Sequence, residues 1–404
     1  MTGSVANIAT AAKASEQTSP IRAMVVDDAI VVRGQIGKWL DEEPDIEVVA
    51  RHRNGKDAVD DLLASNPDVV ILDIEMPVMD GLTALQEMLK LKPGLCVIMA
   101  STLTLRNAEV SLKALGMGAT DYLPKPEGGR AVSSGVDFRR ELISKTRFLG
   151  TRAKLRLLRQ SHQQSSAATA LPAKSGAAKP AVAIARPAAQ ASQAPKPTAA
   201  AFALKPFSMV APRILVIGSS TGGPQALTTL FEEIGSNIRS VPVVVAQHMP
   251  PNFTAILAKN LGRCSGKPAE EASDGKPLLP GHIYVAPGSF HTVLQRNGES
   301  TVARLQDTPP INFCKPAVDP MFQSAAEIFG PSVLSLVLTG MGSDGAGGVK
   351  TISDKGGSVI AQDEESSVVW GMPKAAAESG CCSAVLPLNK IGPAVSRMLT
   401  GGRP

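Results

Sequence analysis

Two groups of residues in this 404-residue chain could do chemistry. In the first, Asp27-Asp28 closes a short apolar run at 23–26 and Asp73 closes another at 69–72. Ser101 follows a third run at 96–100, and Lys125 follows a weaker strand at 120–124. Three carboxylates drawn together repel one another unless a cation sits among them. Mg²⁺, a hard ion that seeks oxygen and shares its shell with phosphate, is the natural occupant. One carboxylate can then act as a nucleophile and become an aspartyl phosphate, while a hydroxyl and an ammonium hold the phosphoryl oxygens. A single aspartate at a strand end commonly does no more than cap a helix. Five positions of matching chemistry on four strand ends favour phosphoryl transfer.

The second group centres on Gly218-Ser219-Ser220-Thr221-Gly222-Gly223-Pro224, between an apolar strand and a helix. Positions 218–222 read G-x-S-x-G around Ser220, a sharp turn that projects a hydroxyl. Taken alone, a Gly/Ser turn without chemistry explains the loop equally well. It matches neither G-x-G-x-x-G nor G-x-x-x-x-G-K-[ST], which argues against nucleotide binding. A hydroxyl nucleophile needs a base. His52 belongs to the first group's domain, His162 to a later connector, and His282 and His291 to turn-rich sequence. His248 ends the next apolar strand in Gln247-His248-Met249-Pro250-Pro251, and Asp344 follows a third in Thr339-Gly340-Met341-Gly342-Ser343-Asp344-Gly345. Nucleophile, base and orienting carboxylate would then come from three strand ends on one side of a sheet. A buried strand-end histidine and a loop-shaping aspartate are the plain readings of each residue singly. The chain order Ser…His…Asp differs from the α/β-hydrolase order.

The elements that must position these groups are legible as patterns. From 21 to 142, apolar runs alternate with amphipathic segments at 30–41, 56–64, 82–91, 106–116 and 136–149. This predicts a doubly wound (βα)5 domain on a parallel sheet. From 213 to 404 the same α/β grammar recurs around apolar strands near 214–217, 241–246 and 332–338, with an antiparallel edge expected within 264–310. Between them, positions 165–212 hold 18 Ala and 7 Pro. Such a stretch lacks the large apolar side chains that offset ordering entropy, and as a coil it would span about 40 Å. The expected organisation is a flexible tail at 1–20, the first domain at 21–142, a basic Ala/Pro linker at 143–212 and a mostly parallel α/β hydrolase domain at 213–404.

The formal net charge of +5 is misleading as a sign of nucleic-acid binding. Positions 142–213 carry 12 Lys or Arg and no acidic residue; without those 12 the chain has 29 basic and 36 acidic residues, a net of −7. The folded parts are acidic, which argues against a nucleic-acid partner. No run of about 18 apolar residues offers a membrane span. The five cysteines (96, 264, 314, 381 and 382) form no CxxC pair and no metal-ligand spacing, which suits a reducing cytosol.

Residues 21–142, from Val26-Asp27-Asp28 through Leu72-Asp73-Ile74-Glu75-Met76-Pro77-Val78-Met79-Asp80-Gly81 to Lys125-Pro126, resemble a two-component receiver domain. The resemblance implies that Asp73 accepts a phosphoryl group from a histidine kinase. It implies that Asp28 and Asp73 bind Mg²⁺ with Asp27 in support, that Ser101 and Lys125 contact the phosphoryl group, and that Tyr122 is the switch aromatic. It also implies a cis Lys125–Pro126 bond. Residues 213–400 resemble the chemotaxis protein-glutamate methylesterase family (CheB) at 218–223, 247–250, 338–346 and Gly371-Met372-Pro373. That resemblance implies a Ser220–His248–Asp344 triad, with Thr221 and Met341 backbone oxyanion donors. It further implies hydrolysis of γ-glutamyl methyl esters on chemoreceptors, deamidation of receptor glutamines, a chemotaxis histidine kinase as the phosphoryl donor, no cofactor at the esterase site, and a cytoplasmic protein that meets the membrane only through receptors. The Ala/Pro linker is longer than usual in that family, and Asn312-Phe313-Cys314-Lys315-Pro316 replaces a more basic stretch. Two complete sites on one chain, with no DNA-binding module, suggest an unphosphorylated receiver that shields the Ser220 cleft and opens when Asp73 is phosphorylated. Two other readings remain: a receiver-gated esterase with a substrate outside chemotaxis, and a phosphorylation-gated binding adaptor.

Overall fold

The computed structural model of the chain describes residues 19–125, 132–168 and 202–403. The chain falls into two compact units, and its strands form two larger sheets and a separate hairpin.

The first sheet holds β1 (Ile21–Val26), β2 (Ile46–His52), β3 (Val69–Asp73), β4 (Cys96–Thr102) and β5 (Asp121–Lys125) in the order β2-β1-β3-β4-β5. β3 is buried at all five positions, as a parallel strand covered on both faces must be. Helices α1 (Ile30–Asp41), α2 (Gly55–Ser65), α3 (Gly81–Leu91) and α4 (Leu105–Gly116) connect the strands. The side chains of Asn54, Asp80 and Thr104 accept from the N–H groups of Asp57, Thr83 and Asn107, each satisfying a donor that its helix cannot. Strand order reverses between β1 and β3. In a doubly wound sheet the connections at such a point leave for opposite faces and open a crevice at the carboxyl ends.

The final helix of this domain departs from the sequence reading. α5 spans Val132–Ala168, well beyond the expected end near 149 and across the start of the expected linker. The reason is compositional: 150–164 is rich in Lys, Arg, Leu and Gln, all good helix formers, and the next proline is Pro172. The other end of the expected linker is also ordered. The Phe202 ring meets Trp370 edge-on at 6.0 Å, Lys205 N donates to Cys382 O (2.8 Å) and Ser208 N donates to Ser358 Oγ (2.9 Å). Residues 1–18 of the expected tail, the centre of the linker at 169–201 and the Lys125–Pro126 bond lie outside the described residues.

The second sheet is parallel throughout, in the order β14-β13-β12-β6-β7-β9-β8. Its strands are β6 (Ile214–Ser219), β7 (Val243–Gln247), β8 (Ala269–Glu271), β9 (Ile283–Val285), β12 (Val333–Val337), β13 (Ser358–Gln362) and β14 (Ala384–Leu386). β6, β7, β12 and β13 are buried at every position. The antiparallel edge expected within 264–310 is corrected: β8 and β9 extend the sheet in parallel. The antiparallel pair, β10 (His291–Asn297) and β11 (Ser300–Gln306), forms a hairpin of its own. Its two-residue loop, Gly298-Glu299, can only join antiparallel neighbours. Helices α6 (Gly223–Ile234), α7 (Phe253–Ser265), α8 (Val318–Phe329), α9 (Ala346–Asp354), α10 (Met372–Glu378) and α11 (Leu388–Leu399) surround the sheet. α6 buries Leu227, Leu230, Phe231 and Ile234, the stripe that 3.6-residue periodicity requires. The chain enters at the middle, β6, with β7 on one side and β12 on the other, so this sheet too has a switch point beside β6.

Candidate functional site

Ser220 follows β6, His248 follows β7, and Asp344 lies in the loop after β12, so the three stand at the carboxyl ends of adjacent strands. Backbone hydrogen bonds stitch these ends together beyond the regular strands. Ser220 N donates to Thr339 O (3.0 Å), and His248 N donates to Ser219 O (3.0 Å). Gly222, at φ 75°, supplies the left-handed residue that turns the chain directly into α6.

His248 and Asp344 touch directly, with Nε2 2.7 Å from Oδ2; their side chains are only 11% and 2% exposed. An ionised carboxylate can only accept, so the proton of this bond sits on Nε2, leaving Nδ1 for exchange. Asp344 is fixed from its other side by the start of α8: Val318 N donates to Oδ2 (2.6 Å) and Asp319 N to Oδ1 (3.2 Å), while Gly345 N donates to Oδ1 (3.0 Å). A helix N-terminus carries unsatisfied N–H groups and positive potential, a natural seat for an anion. Burial pushes the Asp344 carboxyl up. The His248 contact and the Val318 and Asp319 N–H groups outweigh it and hold the carboxyl below the usual range. For His248, burial lowers the imidazole pKa, but Asp344 and the Cys314 sulfur outweigh it and raise the value above the ordinary 6.5. His291 is excluded as the base. It is fully buried, its Nδ1 accepts from Ala317 N (3.1 Å) and its Nε2 meets Pro309 O (3.1 Å), which ties the β10 start to the residue ahead of α8.

In the first domain, Asp27 directly follows β1 and Asp73 ends β3, the two strands that flank the switch point. Oxygen atoms of Asp27, Asp28 and Asp73 lie within 4.8 Å of one another; Asp27 and Asp73 are buried and Asp28 is exposed. Asp73 Oδ1 accepts from Ile74 N (2.8 Å). Ser101 follows Ala100, the register partner of Asp73; it is buried and its Oγ meets Ser111 Oγ at 2.9 Å. Lys125 is the last residue of β5, next to β4 in the sheet, and Tyr122 on the same strand is buried.

The CheB methylesterase family model matches residues 215–395, and the response regulator receiver domain model matches 23–136. A protein-glutamate methylesterase/protein-glutamine glutaminase of the group 2 operon from Bradyrhizobium diazoefficiens is 51% identical over 393 residues, 96% of each chain. A protein-glutamate methylesterase/protein-glutamine glutaminase from Rhodopseudomonas palustris is 50% identical over 400 residues, 99% of this chain and 100% of that one. This chain belongs to the CheB methylesterase family. Among solved structures, the Thermotoga maritima CheB methylesterase catalytic domain is similar at 41% identity and a TM-score of 0.45, over 47% of this chain and 99% of that one.

Sequence reasoning missed the residues that hold the Ser220 loop of this CheB-family chain in place. Gln247 Nε2 donates to Ser220 O (2.9 Å), while its Oε1 accepts from Ser219 Oγ (2.6 Å). Thr339 Oγ1 donates to Thr221 O (2.8 Å) and accepts from Val369 N (2.9 Å), and Gln362 Oε1 accepts from Thr339 N (2.8 Å). The available signal was polar residues directly after apolar strands, but their partners lie on other strands. Gly340 explains part of its loop: a Cβ there would stand 2.9 Å from Ser220 Cβ, 3.0 Å from Ser220 N and 2.4 Å from Met372 Sδ. Gly340→Ala is therefore expected to push the Ser220 loop aside. A misplacement approaching an ångström costs about a hundredfold in rate, so turnover should fall by that order while circular dichroism stays native. Unchanged turnover would mean that Met372 absorbs the methyl group.

The raised His248 pKa has a definite sign in a pH profile. Only the neutral imidazole can take a proton, and the shift delays its appearance as pH rises. The acid limb of kcat/KM for ester hydrolysis, corrected with Ser220→Ala as the blank, is expected above pH 6.5. A limb at or below that value would contradict the environment assigned to the ring.

Proposed function

We propose that this protein hydrolyses the methyl esters of glutamate side chains on chemoreceptors, deamidates receptor glutamines at the same site, and is controlled through its receiver domain. The observation that carries the esterase reading is the 2.7 Å His248–Asp344 contact, anchored at a helix N-terminus and one strand away from the Ser220 turn. The names of relatives about 50% identical over nearly the full chain support the substrate class.

In the proposed reaction Ser220 Oγ attacks the ester carbonyl carbon while His248 Nδ1 takes its proton. Asp344 holds the imidazolium that results. The carbonyl oxygen becomes an oxyanion facing the Thr221 and Met341 N–H groups. The C–O bond then breaks, the imidazolium proton passes to the departing methoxide, and methanol leaves an acyl-serine. Water, deprotonated by His248, attacks the acyl carbon; Ser220 recovers its proton and the free carboxylate is released. With a glutamine side chain the leaving group is ammonia. Thr221 is buried and Met341 half-buried, in keeping with backbone roles.

For control, Asp73 is the proposed phosphoryl acceptor and a histidine kinase the donor. An all-oxygen set of three clustered carboxylates suits Mg²⁺. Asp27, Asp28 and Asp73 would hold that ion, which when bound supplies positive charge against the incoming phosphoryl oxygens. Ser101 and Lys125 are the proposed contacts to the phosphoryl group, and Tyr122 the residue whose environment reports it. No helix among the described residues is long and apolar enough to cross a membrane, and a cytoplasmic location follows from the proposed receptor substrates.

Methanol release from methylated receptor membranes, with and without acetyl phosphate and Mg²⁺, tests the reading. Release by the full chain should rise with acetyl phosphate, and Asp73→Asn should keep basal release and lose the stimulation. Release without stimulation would retain the esterase and discard control through Asp73. Absence of release would discard the substrate.

A further inference from the structure

The sequence gives no metal-ligand spacing to the cysteines, but the fold makes a cluster from distant positions. One ligand atom each from His248, Cys314 and Asp344 lies within 4.8 Å of the other two. The placement of Cys314 comes from a tight turn. Ile311 N donates to Cys314 O (3.1 Å) and Cys314 N to Ile311 O (2.8 Å), with Asn312 at φ 50° and Phe313 at φ 64°. Left-handed backbone is unusual for phenylalanine and costs about 1–3 kcal/mol, which the surrounding structure must supply. Four residues later, Val318 N holds Asp344. One short segment thus fixes both the sulfur and the carboxylate around the imidazole.

We propose that His248, Asp344 and Cys314 form a binding site for a thiophilic divalent cation of the Zn²⁺ class, and that its occupation silences the esterase. The donor set decides the ion. Nitrogen, sulfur and one carboxylate oxygen suit Zn²⁺ and Co²⁺, whereas Mg²⁺ takes oxygen ligands. The spacing also fits: ligand atoms about 2.0–2.3 Å from a tetrahedral ion stand roughly 3.5 Å apart. The 2.7 Å His248–Asp344 pair need only open by about an ångström, and the sulfur already lies within 4.8 Å of both. Three protein ligands leave a fourth position for water. Cys314 is half-buried, so an ion can reach it. An ion bound there takes the Nε2 position that faces Asp344: the Nε2 proton moves to Nδ1, the Cys314 thiol proton is released to water and the His248–Asp344 hydrogen bond breaks, so the Ser220 proton has no acceptor. This consequence rests on the role proposed for His248, whereas the binding site does not. The chain would then carry two cation sites of opposite hardness, one at Asp27, Asp28 and Asp73 and one here.

The test uses the full chain, stripped with chelator and returned to excess Mg²⁺ so that the carboxylate cluster is already occupied. Co²⁺ should produce a near-ultraviolet thiolate-to-cobalt charge-transfer band that is absent in Cys314→Ala and in Cys314→Ser. Zn²⁺ should inhibit methanol release, and each variant, normalised to its own metal-free rate, should need at least about 10- to 100-fold more Zn²⁺ for the same inhibition, the cost of losing even a group that only supports a metal ligand. Equal inhibition of wild type and both cysteine variants, or no charge-transfer band in the wild type, would overturn the site. A Cys314-dependent band with methanol release untouched would keep the site, discard the silencing, and refute the role assigned to His248.

Discussion

Ser220→Ala is expected to lower methanol release from methylated receptors by at least about 10⁴-fold, the scale on which a nucleophile of a serine triad matters. The argument rests on what the substitution leaves in place. The contacts that shape the loop are backbone contacts of Ser220: its N–H to Thr339 O and its carbonyl from Gln247 Nε2. Alanine keeps both, and Gly222 keeps its left-handed turn. Stability should therefore change by no more than about 0.5 kcal/mol, so lost turnover cannot be ascribed to unfolding. The proposed Thr221 and Met341 donors would also remain, and a residual rate above the uncatalysed one is expected. Binding of receptor should persist, because neither strand end moves. A protein acting only as an adaptor would show the same receptor binding and no difference in turnover; retention of turnover in Ser220→Ala would discard the nucleophile.

Asp344→Asn should be nearly as damaging, with a loss of about 10³- to 10⁴-fold. The asparagine is almost isosteric, and an oxygen at the Oδ1 position can still accept from Asp319 N and Gly345 N, but an amide nitrogen at the Oδ2 position leaves Val318 N without its acceptor. What changes is the face toward His248: an amide nitrogen donates where the carboxylate accepted, so the imidazole must present an acceptor there and loses the tautomer that leaves Nδ1 basic. The substitution also removes an anion from the N-terminus of α8, worth about 1 kcal/mol in a favourable setting. Two readouts separate the chemical from the structural effect. The His248 pKa, followed by NMR, should fall, because the Asp344 contact is among the causes that raise it. The unfolding midpoint should fall by only a few degrees, the scale of about 1–2 kcal/mol, and leave the protein folded at the assay temperature. An unchanged His248 titration with full activity would show that the 2.7 Å contact does not govern the ring.

Much of this protein was legible in one dimension. Short continuous apolar runs such as 69–72 and 214–217, alternating with amphipathic helical segments, fit strands of a parallel sheet covered on both faces, and both occur as fully buried strands. The residue that ends a strand is defined by the strand, so Asp73, Ser220 and His248 could be placed at carboxyl ends by pattern alone. Where the structure departed from the pattern, competing local preferences had decided. The helix formers of 150–164 carried α5 into the expected linker, and the Gly298-Glu299 loop made the antiparallel pair a separate hairpin.

The sequence by itself determined the elements, their order and the residues at their ends, because hydrophobic periodicity and turn chemistry are local. It did not determine which side chains meet. Gln247, Thr339 and Gln362 hold the Ser220 loop through bonds that span 23 to 118 positions. Cys314, with no spacing that marks it as a ligand, reaches His248 and Asp344 through the turn at 311–314 and the anchoring of the α8 start on Asp344, beyond the ends of β7 and β12. Strand order in the sheet, β12-β6-β7, put the three ends side by side. Such adjacency arises from packing whole elements against one another, and residue spacing along the chain carries no record of it.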